Sequence, residues 1–265
     1  EIYRACAAGK TEHKGGTRLF CQAPTGIGKT MSALFPALKA IGEGKGEKLF
    51  YLTARNTTQA AAEDALQRLH AGAPGLALRS VTLTAKEKAC LCKDADGHPS
   101  CLPEVCHYGK GYFDRVKDAL ASLLDGAPQL SRAALEETAR QFTVCPFELG
   151  LDLSAWCDVV IGDYNYLFDP VVRLHRFFDS AGDWLFLIDE AHNLPDRARA
   201  MYSAQFSKSS LTEAKRALGK GKSPLKAALT RADKAFLETR KQTAEQGGTA
   251  FLQELPAELL KPLHA

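Results

Sequence analysis

A chain of 265 residues with 45% hydrophobic content can bury a full core and carry a second module. Its 34 basic and 31 acidic residues leave a net charge of +3, too balanced to mark a nucleic-acid binder by charge alone. No apolar run approaches the ~18 residues of a membrane span and no secretory signal is visible, so a membrane location is not expected.

Residues 1–14 read as the tail of a helix and a loop. Glu1 is not a translation start and the segment LQELPAELLKPLHA stops inside a helix-like pattern, so the sequence reads as a piece of something longer. A strand is expected over 17–22, feeding the turn APTGIGKT at 23–30, which opens into the helical pattern MSALFPALKAIG with Pro36 loosening its middle. Strand, glycine-rich turn and helix in that order form a phosphate cradle. Gly26 and Gly28 let the backbone wrap an anion, and the helix start points unpaired N–H groups and its positive dipole end at it. Thr25, Gly26, Ile27, Gly28, Lys29 and Thr30 are therefore the expected ATP-binding residues. Lys29 supplies a charge for the β/γ-phosphates and the Thr30 hydroxyl a ligand for Mg²⁺. Ala23 stands where the strict pattern has Gly.

KLFYLT at 48–53 is the next strand, leading into a helix at 57–70. Thr53 and Arg55 at this junction suit contact with a nucleic acid, although helix capping accounts equally well for the neighbouring Asn56 and Thr57. A further strand is expected at 78–83. Helices follow at 112–125 and at 131–142, the second capped by Ser131, then a strand at 156–161 and a short helix at 171–178. WLFLIDEAH then reads as a buried parallel strand ending in two carboxylates, where ligands of such sheets sit. Asp189 is placed to hold Mg²⁺ and Glu190 to orient and deprotonate an attacking water. Beyond residue 204 the strand–helix alternation stops. A helical, basic segment carries ten Lys/Arg against three Asp/Glu over 205–241, either a solvated face or a surface for a nucleic-acid strand.

Five of the eight cysteines (Cys90, Cys92, Cys101, Cys106 and Cys145) fall within 56 residues, and Cys145 precedes Pro146. Cys6, Cys21 and Cys157 read as buried small hydrophobes. In a cytosolic nucleotide hydrolase, where thiols stay reduced, such a cluster points to metal ligation. Four thiolates suit tetrahedral zinc or an iron–sulfur cluster, and spacing does not separate them. His98 and His107 are further zinc candidates, and Cys92 an alternative to Cys90.

The motifs QAPTGIGKT (22–30), YLTAR (51–55), TAKEKAC (84–90), CLPEVCHYGKGYFDRV (101–116), VCPFEL (144–149), DVVIGDYNYLFDP (158–170) and LIDEAHNLPDRAR (187–199), in that order, resemble the XPD/DinG family of superfamily 2 DNA helicases. The resemblance implies an α/β fold, a RecA-like P-loop motor domain carrying an inserted four-cysteine helical domain and the start of a helical arch. The implied division is 1–83 and 151–200 for the motor, 84–150 for the insert and 201–265 for the arch. It also implies a [4Fe–4S] cluster on Cys90, Cys101, Cys106 and Cys145, with Cys92 left over, and coupling of hydrolysis to DNA through His192. The expected activity is ATP-dependent, 5′→3′ unwinding by a cytoplasmic monomer that engages single-stranded DNA at a duplex junction. The helix expected upstream of the first strand is short or missing, and no second motor domain follows in this sequence. Hydrolysis by this piece alone is therefore not expected. A different class of reading is a nucleotide-gated binding module with a structural zinc, which unwinds nothing.

Overall fold

The computed structural model describes residues 1–8, 16–24, 26–54, 56–102, 104–219, 221, 223–244 and 247–249. They form two compact units, Glu1–Tyr202 and Ser203–Ala265. The first contains α1 (Ile2–Ala7), α2 (Lys29–Gly42), β1 (Lys48–Thr53), α3 (Asn56–Gly72), β2 (Ser80–Thr82), α4 (Lys86–Ala89), α5 (Tyr112–Leu124), β3 (Gln129–Leu130), α6 (Arg132–Phe142), α7 (Pro146–Leu153), β4 (Val159–Asp163), α8 (Asn165–Phe168), α9 (His175–Phe178), β5 (Trp184–Ile188) and α10 (Leu194–Met201). The second contains α11 (Lys208–Ala217) and α12 (Pro224–Ala244).

Among the described residues the five strands make one parallel sheet in the order β3-β2-β4-β1-β5. KLFYLT lies inside it, and all six of its residues are buried. An interior strand covered on both faces has no solvent side on which to place a polar residue, which is why it reads as an apolar run rather than an alternation. Its side chains still alternate between layers. Leu49 and Tyr51 pack with Leu34 and Ala37 of α2 and Ala62 and Leu66 of α3. Phe50 and Leu52 face the other way, into a cluster with Val116 and Leu123 of α5, Leu135 of α6 and Leu149 and Leu153 of α7. The helices of the cysteine-rich region thus share a core with the sheet.

Several elements differ from the sequence expectation. No strand forms over 17–22: Phe20 is 89% exposed, Cys21 is exposed rather than a buried hydrophobe, and among the described residues β5 pairs only with β1. A strand without a ladder partner leaves its amides to water and gains nothing from its extended form. The strand expected at 156–161 forms three residues later, because 154–156 closes a 3₁₀ turn that carries Trp156 to the surface. The helix expected at 171–178 keeps only its last turn. The Asp169 carboxylate accepts from the amides of Val171 and Val172 and holds them in a turn. Helix α7 was not anticipated; Pro146 fits its first turn, where no intrahelical N–H is needed. Helix α2 runs unbroken through Pro36, with Leu34 and Ala37 fully buried on either side of it.

Lys48 ties the end of the cysteine-rich region to the sheet. It is buried at the start of β1 and donates to the carbonyls of Ser154 (2.9 Å), Ala155 (3.4 Å) and Cys157. Burial pulls its ammonium pKa below the usual lysine range, against the opposing pull of Cys157 and Asp158. The Lys48→Met variant keeps the apolar stem and strands the carbonyls. It is expected to cost about 2 kcal/mol, read as a lower urea midpoint at unchanged slope.

In the second unit α11 and α12 pack through Leu211, Ala228 and Ala232, with the Phe206 and Phe236 rings 5.3 Å apart. Asp233 faces Lys215 at 3.2 Å and Lys208 at 3.6 Å; the Lys215 hydrogen bond and both charges hold its carboxyl below the usual range. No described helix is long and apolar enough to cross a membrane.

Candidate functional site

The parallel register sets Thr53 beside Asp163 and Leu52 beside Ile188, so the carboxyl ends of β1, β4 and β5 line one edge of the sheet. Helix α2 begins at the same place. Its start is preceded by Gly26 at φ 83° and Gly28 at φ 81°, both left-handed. A Cβ at either position would meet no protein atom within 4 Å. Glycine is needed there for the dihedral, and the space beside it lies open to a ligand. The first-turn N–H groups of α2, which no intrahelical carbonyl can reach, belong to this turn.

Lys29 Nζ lies 3.8 Å from Glu190 Oε1, both side chains a little more than a third exposed. His192 Nδ1 lies 3.3 Å from the other carboxylate oxygen of Glu190. An exposed ion pair of this kind adds little stability. Glu190 itself is left-handed at φ 52°, ψ 41°, a strained conformation for a residue with a side chain. Neighbours hold it there: its N–H donates to Asp189 Oδ1 at 2.9 Å, its carbonyl accepts from Asn193 N and Nδ2, and the Tyr164 hydroxyl donates to the Asp189 carbonyl. Burial, then repulsion from Asp189 and Glu190, pushes the Tyr164 phenol up to about 12.

The second oxygen of Asp189 accepts from the Tyr51 hydroxyl at 2.7 Å, and the Thr30 side chain lies near the same phenol. Both of the expected Mg²⁺ ligands thus stand in one neighbourhood, which fits a divalent cation there. Tyr51 and Tyr164 escaped the sequence reading, since each looks like ordinary apolar filling of a strand end. So did the clasp in which Arg197 Nη2 stands 3.1 Å from both carboxylate oxygens of Asp163, pinning α10 to the end of β4. Thr25 and Arg55 lie outside the described residues. Thr53 is fully buried with its hydroxyl paired to that of Thr58, so its side chain braces the β1–α3 turn and presents nothing to a nucleic acid.

The cysteine region is gathered by its backbone. An antiparallel bridge between Lys93 and Pro99 closes the loop after Cys92, and Cys145 sits at the N-terminal end of α7. Burial raises the Cys145 thiol pKa, while the N–H groups of Glu148 and Phe147 work against it. Arg115 brings the two halves together: its guanidinium donates to the carbonyls of Thr143 (2.7 Å), Lys110 (2.7 Å) and His107 (3.2 Å). Cys106 is within electrostatic reach of Cys145, and Cys90, Cys101 and Cys106 of Cys92; Lys86 is within reach of Cys101 and Cys145. Donor chemistry and neighbourhood suit a thiolate-held metal group beside a cation. Even so, among the described residues no three His, Cys, Asp or Glu side chains stand at metal-ligating geometry. The Cys90 thiol points at the Cys92 carbonyl, 2.9 Å away.

Comparison with known proteins agrees with this layout. The DEAD_2 family model matches residues 53–211 and the DEAD/DEAH box helicase model residues 6–95. This chain belongs to the DEAD_2 family. The XPD-type kinship expected from the motifs holds at that level. Among relatives, the Fanconi anemia group J protein homolog of Gallus gallus is 32% identical over 84 residues, covering 32% of this chain and 7% of that protein. The general transcription and DNA repair factor IIH helicase subunit XPD/RAD3 of Saccharomyces cerevisiae is 26% identical over 97 residues, 36% of this chain and 12% of that protein. The DEAD_2 chain spans only 7% to 14% of the length of these and similar curated relatives. A solved structure titled "Truncated XPD" superposes with a TM-score of 0.55 at 18% identity, covering 91% of this chain and 67% of that one, which shows the fold.

Proposed function

We propose that this chain carries the nucleotide-binding half of an ATP-dependent DNA helicase motor that moves 5′→3′ along single-stranded DNA. The observation that supports it best is the approach of Lys29 to Glu190 across the open end of α2, 3.8 Å apart. In the structure the lysine pairs with the glutamate. A triphosphate draws Lys29 onto its own oxygens and leaves Glu190 free to accept a proton from water at a carboxylate oxygen. Backbone of residues 25–28 cradles the phosphates, and Thr30 and Asp189 hold Mg²⁺, whose charge offsets that of the β- and γ-oxygens. His192, against Glu190, carries the state of that carboxylate toward the DNA side.

Cys90, Cys101, Cys106 and Cys145 hold a [4Fe–4S] cluster in this reading, with 84–150 as the insert that bears it and the second unit as the start of an arch over the strand. The substrate is a junction of single-stranded and duplex DNA, the working form a monomer, and the compartment one with reduced thiols, such as the cytoplasm. The test is ATP turnover by the intact protein with and without single-stranded DNA. Stimulated turnover with strand separation is expected. Nucleotide binding without turnover would make the protein a switch instead.

A further inference from the structure

We infer that Tyr51 is a positioning residue for the divalent cation, orienting the Asp189 carboxylate that holds it. This rests on the nucleotide-site reading above and deepens it.

Two groups form a directed pair. Tyr51 has one O–H, and it donates to Asp189 Oδ2 at 2.7 Å. The bond occupies a defined lone pair of Asp189 Oδ2, while Asp189 Oδ1 is taken by the Glu190 N–H at 2.9 Å. The remaining lone pairs of Asp189 are thus set before any cation arrives.

The packing makes this setting stiff. Tyr51 is 2% exposed, in an interior strand of the sheet, wedged among Leu34, Ala62, Leu66 and Ile161. Its ring cannot swing without opening that core, so the hydroxyl is held by structure unrelated to the ligand. Removing the neighbouring group that orients a metal ligand typically weakens metal affinity 10–100-fold. A role limited to packing would leave that affinity alone.

The experiment is Tyr51→Phe in the intact protein, which keeps the ring and its burial and deletes the hydrogen bond to Asp189. Manganese(II) serves as the probe, its binding in the presence of ADP followed by electron paramagnetic resonance. ADP affinity in excess EDTA is measured alongside, and thermal midpoint and far-UV spectrum report folding. The expected result is Mn²⁺ affinity reduced at least tenfold, metal-free ADP affinity unchanged, and kcat lowered more than the KM for ATP is raised. Unchanged Mn²⁺ affinity in a folded Tyr51→Phe protein overturns the inference and leaves the nucleotide site standing. Wild-type protein that binds no ADP at all overturns both. If Tyr51→Phe does not fold, 3-fluorotyrosine at position 51 replaces it, keeping the ring while altering the hydroxyl as a donor to Asp189. A changed Mn²⁺ affinity at unchanged metal-free ADP affinity is then expected, and an unchanged Mn²⁺ affinity overturns the inference.

Discussion

Lys29→Ala is expected to reduce DNA-stimulated ATP hydrolysis by the intact protein about 10²–10³-fold, the usual cost of deleting one preorganised charge from a polar transition state. The geometry explains why so much rests on one side chain. Glu190 faces Lys29 at 3.8 Å and His192 at 3.3 Å. Of these neighbours only the lysine sits at the start of α2, where phosphates would lie. Its removal deletes the charge that meets the β/γ-oxygens and leaves Glu190 beside bare anionic oxygens. Lys29→Arg should not rescue, because the planar fork does not occupy the position of a compact ammonium. Steady-state turnover with saturating single-stranded DNA is the measurement, and full activity in Lys29→Ala would remove the nucleotide site from the account.

The second large effect is expected at Cys106. Purified under exclusion of oxygen, the protein should be brown and contain iron and sulfide in equal amounts, and Cys106→Ser should lose most of both together. Cys106 is the buried member of the group, within reach of Cys92 on one side and Cys145 on the other, so its loss opens the middle of the set. Binding energy in such sites is also folding energy, so the thermal midpoint should fall with the metal. Cys92→Ser, by contrast, should keep its iron. Elemental analysis and visible absorption decide the matter. Zinc without sulfide would reassign the metal, and loss of iron in Cys92→Ser with retention in Cys90→Ser would exchange those two ligands.

What could be read from sequence and what could not follow a physical division. KLFYLT, the glycine turn and DEAH were legible because each encodes a local demand: burial on two faces, left-handed backbone, acidic residues beyond a strand. Ser131 was legible as a cap, and it accepts from the Ala134 N–H at 3.4 Å. Residues 17–22 misled, since their apolar pattern says nothing about whether a partner strand is at hand. Tyr51, Arg197 and Arg115 were invisible for the opposite reason. Their partners Asp189, Asp163 and Thr143 lie 28 to 138 positions away, and a long-range hydrogen bond leaves no spacing to read. The cysteines fell between these cases: their number was legible, and the Arg115 hydrogen bonds that gather the backbone around them were not.

The order of strands has a consequence for how the molecule is born. Among the described residues β1 finds its neighbours only in β4 and β5, so it waits on the ribosome for residues 159–188. At ordinary rates of synthesis of about 5–20 residues per second, that interval is roughly 5–27 s. The whole cysteine-bearing stretch emerges within it, before the central sheet has anything to zip against. In the proposed reading, availability of the cluster at that moment, rather than later in the life of the protein, governs how many chains mature.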